Sequence, residues 1–365
     1  MNICLLADAR SIHTRRLVTG LSRLGVRVHV VTHKPAPIDG ATVERFRVPP
    51  ASPLNLRRWE SRRRRRLLDL IRANDVVNVQ FLGDWRLDDD HFDAGHIVAT
   101  AWGSDIVPPP GEDAPDERLV ASRRALLRGA AAVTACGPTF AGVVADFAGL
   151  PRERVDVVPF GVDTRLFQRD RTLPSGVHGG PRVGFFKGFR PVYDAVTLVR
   201  AVSLVRARIP GVSFELVGDG PQKIECQCLA RELGVDDAIT WSPAMPHESL
   251  PARIARWDIS VIPSIHEAFG VAALESSSME MPVVASDVCG LRDTVRDGKT
   301  GMLVPPGDAP AFARAIVELL SDRSTRERMG LAGRDWVRGA FEVSDVHRQW
   351  LALFERTRDR AAVMV

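Results

Sequence analysis

No run of about 18 consecutive apolar residues occurs in the chain, so the sequence offers no membrane-crossing helix. The first residues, MNICLLADAR, lack the basic stretch and cleavage site of a secretory leader and read as a first β-strand. Cysteine is sparse and scattered: Cys4, Cys136, Cys226, Cys228 and Cys289. Cys226 and Cys228 are too close for a zinc-binding pair, and no second Cys or His pair completes a site. The simple reading is a reduced, cytosolic protein, with peripheral attachment to the inner face of a membrane left open. A strong charge excess is also missing. Lys and Arg number 49 against 45 acids, and a net +4 does not demand nucleic acid. What the chain does have is core: 45% hydrophobic and 26% charged residues over 365 positions, the profile of a globular enzyme of two domains.

Short apolar runs alternate with helical patterns. ICLLAD (3–8), VRVHVVT (26–32), DVVNVQF (75–81), HIVATAW (96–102), AAVTAC (131–136) and RVDVVPF (154–160) read as strands. A linker rich in Gly, Pro and charge follows at 161–182. The alternation then restarts with RVGFF (182–186), VSFELVG (212–218), AITW (238–241), DISVIP (258–263), PVVAS (282–286) and GMLVP (301–305). Repeated βα units predict parallel sheets in an α/β chain. The expected domains are 1–165 and 175–342, with a last helix at about 343–360 that could return to the first. In such open sheets ligands bind at the carboxyl ends of the strands.

One stretch carries the sharpest chemical signal. VIPSIHEAFGVAALESSSMEMPVVAS (261–286) reads as strand, loop, helix and strand, with the helix over Ala268–Met279. Glu267 stands at its start and Glu275 about two turns in, eight residues on, sharing a face with Val271 and Ala272. A carboxylate on that face is either solvated or buried with a partner, because an unpaired buried charge is costly. The rise of an α-helix separates the two acids by about 12 Å, with the helix N-terminus between them. Phe269 and Gly270 offer backbone N–H groups there, and Gly270 lets a ligand approach the chain. An elongated molecule with hydroxyls at both ends and phosphates in the middle fits: a nucleotide diphosphate sugar. Two ordinary surface glutamates fit the spacing as well. Lys187 and Arg190 follow the strand RVGFF and suit a diphosphate, or are solvated cations. In LVGDGP (216–221), Gly218 and Gly220 allow close approach to a ligand or simply punctuate a turn.

The order LVGDGP, MPHESLP (245–251), EAFGVAALE and GLRDTVRDGKTGMLVPPGD (290–308) resembles that of family 4 glycosyltransferases. VVPFGVDTRLF (157–167) is similar to their interdomain segment, and SIHTRRLVTGLSRLG (11–25) and AWGSDI (101–106) extend the likeness into the first half. The resemblance implies the GT-B fold, two Rossmann-like doubly wound domains facing a central cleft. It implies a retaining, metal-independent transfer of a sugar from a nucleotide diphosphate, UDP or GDP, to a hydroxyl of a lipid-linked, glycan or small acceptor, with no cofactor. The first domain would bind the acceptor and the second the donor. Glu267 would lie by the donor sugar with Ala268, Phe269 and Gly270, and Glu275 would take the ribose. Lys187 and Arg190 would stabilise the leaving diphosphate. His13, Trp102 and Asp105 would stand on the acceptor side, Trp102 replacing a histidine common in the family. Tyr193 stands where the family has a lysine, Ala268 where it has a glycine, and Glu280 where a glycine ends the helix. The same architecture serves epimerases of nucleotide sugars and, without catalysis, nucleotide-sugar binding.

Two charge runs remain. DDD (88–90), beside Arg86 and His91, mimics a metal-binding D-x-D but reads as a solvated loop. LRRWESRRRRRLL (56–68) places seven arginines from Arg57 to Arg66, with Leu56, Trp59, Leu67 and Leu68 as the apolar members. Three readings are open: a helix on an anionic membrane surface, a site for an acidic soluble acceptor, or a solvated face.

Overall fold

The computed structural model describes residues 1–46, 56–83, 85, 87, 96–111, 115–169 and 180–363. The chain divides into two compact units, one of Met1–Pro108, Asp113–Pro159 and Ser344–Val365, the other of Pro109–Glu112 and Phe160–Val343. The boundary thus falls between Pro159 and Phe160 rather than after residue 165.

The first unit is built on a parallel sheet. Its strands run in the order Ala41–Arg45, Arg27–Thr32, Asn2–Leu6, Val76–Gln80, Ile97–Thr100, Ala132–Ala135 and Val155–Val157. The apolar runs form central strands because both faces are covered by helices. Ile3, Leu5, Val28, Val30 and Val98 pack with Leu17, Val18 and Leu21 of the helix Ile12–Arg23. The last helix, Val343–Val363, adds Val346, Trp350, Leu353 and Phe354 to the same core. It lies close enough that a Cβ on Gly20 would overlap the His347 ring. Ala41–Arg45 is an edge strand of half-buried and exposed residues, and its sequence shows none of the apolar continuity of the others.

The second unit repeats the plan: Ile239–Ser242, Ser213–Val217, Arg182–Phe186, Ile259–Ile262, Val283–Ser286 and Gly301–Val304, all parallel. Phe185, Phe214 and Leu216 pack against Leu198, Val202, Phe312 and Ile316 of the flanking helices. In both sheets the chain leaves the first strand toward one edge, then crosses to the other side. The crossing leaves a crevice at the carboxyl ends of two neighbouring strands. Those strands are Asn2–Leu6 and Val76–Gln80 in the first unit, Arg182–Phe186 and Ile259–Ile262 in the second. Among the described residues, no helix is long and apolar enough to cross a membrane.

The helix expected over Ala268–Met279 is shorter, Val271–Ser278, because Gly270 turns into the left-handed region at φ 95° and caps it. Glu267 therefore lies in the loop before the helix, and Glu275 about one turn inside it rather than two. The rise along a helix no longer sets their separation.

Glu280 ends this helix at φ 59°, a conformation that costs a residue with a Cβ about 1 kcal/mol. Met281 N donates to Ser276 O and Glu280 N to Ser277 O, closing the terminus as a glycine normally would. Glu280→Gly is expected to stabilise the fold by about 1 kcal/mol, read as a raised urea midpoint. An unchanged or lowered midpoint would show that the Glu280 side chain offsets its own backbone strain.

Candidate functional site

Two acid–base pairs occupy the crevice of the second unit. Lys187 follows the strand Arg182–Phe186 directly, and Glu267 lies in the loop after Ile259–Ile262. Lys187 Nζ donates to Glu267 Oε2, and their side chains are only 13% and 16% exposed. Ser264, fully buried, donates its hydroxyl to the same carboxylate at 3.3 Å. Burial works against the ammonium, but Glu267, then Tyr193, and also Glu275 outweigh it, holding Lys187 above the ordinary lysine pKa. Its Nζ also lies 4.6 Å from the centre of the Tyr193 ring. The residue standing in place of a second cation is thus an aromatic seat for the first.

The second pair was not foreseen. Glu275, 5% exposed, accepts from His247 Nε2 at 2.7 Å. His247 opens the segment before the helix Leu250–Ile254, and its ring packs 4.9 Å from that of Phe167. Of the two alternatives for Glu275, a solvated edge or a buried partner, the structure shows the partner. MPHESLP contains the histidine, but nothing in a linear reading pairs residues 28 positions apart.

The loops around Lys187 are held by backbone contacts that only glycine allows. At Gly218, φ 149°, a Cβ would stand 2.1 Å from Lys187 O. At Gly220, φ 158°, it would stand 2.4 Å from Phe189 O. Phe189 N donates to Asp219 O at 3.1 Å and Gln222 N to Phe189 O at 3.0 Å. Lys223 ties the turn down through Gly218 O and Asp219 Oδ1. These glycines thus serve contact between two loops.

Ala268 and Phe269 are buried in the loop before Gly270. Phe269 meets Phe160 and Phe341, each at 5.8 Å between ring centres. Gly290 N donates to Glu267 O at 2.8 Å, and a Cβ on Gly290 would strike Phe269 N at 2.1 Å. The helix start beyond this loop has neither a side-chain cap nor an acid in its first turn, so its amides and positive dipole end remain fit for an anion. Arg190 sits apart from the buried pairs. Its side chain is exposed, at the start of the turn Pro191–Tyr193. His266, half-buried beside Glu267, is held below the ordinary histidine pKa by burial, against the pull of Glu267.

In the first unit the crevice opens into a cavity of about 860 Å³. His13 and Trp102 meet edge to face at 5.7 Å, and Trp102 lines the cavity. Asp105 does not line it. It is fully buried, and its carboxylate accepts from the amides of Leu82, Trp102 and Gly103 at 3.0, 3.0 and 2.7 Å. Burial pushes its pKa up against the pull of those amides. Asp105 therefore holds the loop that carries Trp102. Sequence reading also passed over Gln80, Phe81 and Trp85. Phe81, just past the strand Val76–Gln80, adopts φ 56° and is 39% exposed.

The arginine run forms the helix Leu56–Arg72. Leu67 and Ile71 are its fully buried side chains among the described residues. Arg63, one turn before Leu67, turns inward with it and donates to Trp85 O. Arg66 pairs with Glu44 and lies over the Phe46 ring at 5.9 Å. Arg62, Arg64 and Arg65 are exposed. The run is thus split between an inward and an outward set. The side chains of residues 56–59 and the DDD run with Arg86 and His91 lie outside the described residues. Among the described residues, no three His, Cys, Asp or Glu side chains gather to hold a metal ion.

Residues 175–336 match the model of the family described as glycosyl transferases group 1, and residues 11–166 that of glycosyltransferase family 4. A D-inositol 3-phosphate glycosyltransferase of Nocardia farcinica is 36% identical over 53% of this chain and 47% of its own length. A 2-deoxystreptamine glucosyltransferase of Streptomyces kanamyceticus is 31% identical over 65% and 64%. The chain thus spans about half to two thirds of the length of the curated relatives it matches. Sucrose-phosphate synthase from Thermosynechococcus elongatus superposes with a TM-score of 0.79 at 22% identity, over 98% of both chains. Anabaena HepE, in complex with UDP-glucose, does so at 0.77 and 19%, over 98% of this chain and 100% of its own. Two parallel sheets with the same strand order, the GT-B fold of those neighbours, and two adjoining family matches lead to one statement: the chain belongs to the family 4 glycosyltransferases.

Proposed function

We propose that this protein transfers a sugar from a nucleotide diphosphate donor to an acceptor hydroxyl, with retention of configuration and without a metal. The observation that carries the reading is Lys187: a cation held by Glu267 at the strand-order switch of the second sheet. A departing diphosphate gathers negative charge, and a fixed cation in a shielded crevice stabilises that charge more than it stabilises the intact donor. The uncapped amides at the helix Val271–Ser278 add to it, and Arg190 serves as the outer cation. Glu267 orients the sugar and Glu275 the ribose, with His247 fixing the carboxylate of Glu275. HepE in complex with UDP-glucose supports a donor of this class. The first unit takes the acceptor.

Release of free nucleotide from a panel of UDP- and GDP-sugars, in excess chelator, tests this. Turnover that depends on an added acceptor is expected. Loss of donor without acceptor and without nucleotide release would point to an epimerase. Binding without turnover would leave a binding protein. Activity restored only by Mg²⁺ or Mn²⁺ would contradict the metal-free scheme.

Arg62, Arg64 and Arg65 give the first unit an outward cationic face suited to an anionic membrane surface. Each cation there contributes about 1 kcal/mol, screened by salt. Replacing these three by Gln is expected to end cosedimentation with phosphatidylglycerol vesicles at low salt. If the unaltered protein stays in the supernatant, the face is merely solvated. Replacing Arg63 and Arg66 as well would confuse the test, because Arg63 bonds Trp85 O and Arg66 pairs with Glu44.

A further inference from the structure

We propose that the cavity of the first unit binds an acceptor that carries a phosphate beside a polyhydroxylated ring. The inference rests on the acceptor role given to that unit and names the class of acceptor. Among the described residues lining the cavity, Lys34 and Arg63 are cations and Asp8 is the one carboxylate. Asp8 faces Lys34 and Arg10, each at 3.6 Å, so its charge is already answered. Among the described residues the balance favours an anion, with Arg63 reaching the cavity wall through its bond to Trp85 O.

Backbone geometry adds to this. Ser11 lines the cavity and begins the helix Ile12–Arg23, which has no side-chain cap bond and no acid in its first turn. Its dipole presents a positive end there, and phosphate is the common ligand of such ends. An independent observation points to the ring. Gln80 is 3% exposed, lines the cavity, and leaves its Oε1 without a hydrogen-bond partner. A buried acceptor in that state is costly, and a ligand hydroxyl would satisfy it. Phe81, 39% exposed at the rim of the cavity, supplies an apolar wall of the kind that the C–H face of a sugar or cyclitol prefers. Of the two relatives above, one is named for a phosphorylated cyclitol and the other for an amino-cyclitol. The cations among the described lining residues favour the first chemistry.

The probes are glucose 6-phosphate, glucose and glucosamine, one ring with an anionic, a neutral and a cationic form. Binding is read by intrinsic tryptophan fluorescence, since Trp85 and Trp102 line the cavity. Glucose 6-phosphate is expected to bind at least about tenfold more tightly than glucose, the factor of a single charge-assisted contact. Glucosamine should bind most weakly, and salt should erode the preference. Arg63→Gln should remove it. Lys34→Gln, at an exposed side chain, should reduce it and guards against a folding defect in the first variant. The phosphate could instead sit on a lipid headgroup. Pelleting with phosphatidylinositol vesicles that is kept when Arg62, Arg64 and Arg65 become Gln, and lost in Arg63→Gln, assigns it there. Competition by free glucose 6-phosphate assigns it to a soluble ester. Equal binding of all three sugars, preference for glucosamine, or full preference retained in both variants overturns the proposal. UDP titrated in parallel keeps the two readings apart. UDP binding without phosphate preference sinks only this inference, and phosphate preference without UDP binding sinks only the donor assignment.

Discussion

Lys187→Ala is expected to lower kcat by about 10²–10³-fold, the loss seen when one fixed donor to a developing charge is removed. Donor KM should change much less, because the cation is matched to the charge of the leaving diphosphate more than to the intact donor. Lys187 and Glu267 are both largely buried, so the variant also strands a carboxylate. Thermal unfolding must therefore accompany the kinetics. A second variant, with Glu267 also replaced by Gln, removes the stranded charge. If that double variant regains stability yet turns over more slowly than Glu267→Gln alone, Lys187 acts in the chemistry. Steady-state nucleotide release equal to that of the unaltered protein would remove Lys187 from the mechanism.

Glu275→Ala is expected to act on the other kinetic constant. A ribose hydroxyl that donates to a buried carboxylate makes a bond of about 1.5–3 kcal/mol, so donor KM should rise about 10–100-fold. kcat at saturating donor should move less. The loss has a second source in this structure, since His247 at 2.7 Å also loses its partner. His247→Ala separates the two. If His247 serves only to position Glu275, its removal should raise KM by less than the removal of Glu275 itself. Unchanged donor affinity in folded Glu275→Ala would sink the ribose assignment.

Most of the sheet was legible because its strands are buried on both faces, and burial writes a continuous apolar run. RVGFF and VVAS appear in the sequence almost as they appear in the sheet. Ala41–Arg45 was missed for the converse reason: an edge strand with Thr42, Glu44 and Arg45 has no such run. In the candidate site, residue type and place made Glu267, Glu275 and Lys187 legible as candidates. Their partners were not, because Lys187 to Glu267 and His247 to Glu275 are set by the return of separate strands to one crevice. Helix phase held more than was taken from it. Leu67 and Ile71 mark the buried side, and Arg63 lies one turn before Leu67, so one member of the arginine run was bound to face inward. Asp105 shows the limit of residue type alone. The resemblance puts it on the acceptor side, and three backbone amides occupy its carboxylate.

The anomeric configuration of the first-formed product tests the central claim most directly. An α-linked UDP-sugar or GDP-sugar, incubated with the protein, an accepted hydroxyl compound and chelator, would be followed by proton NMR from the earliest turnover. An α-glycoside appearing in step with free nucleotide diphosphate is the predicted result. A β-glycoside, or a new sugar nucleotide formed with no free nucleotide diphosphate, would contradict it.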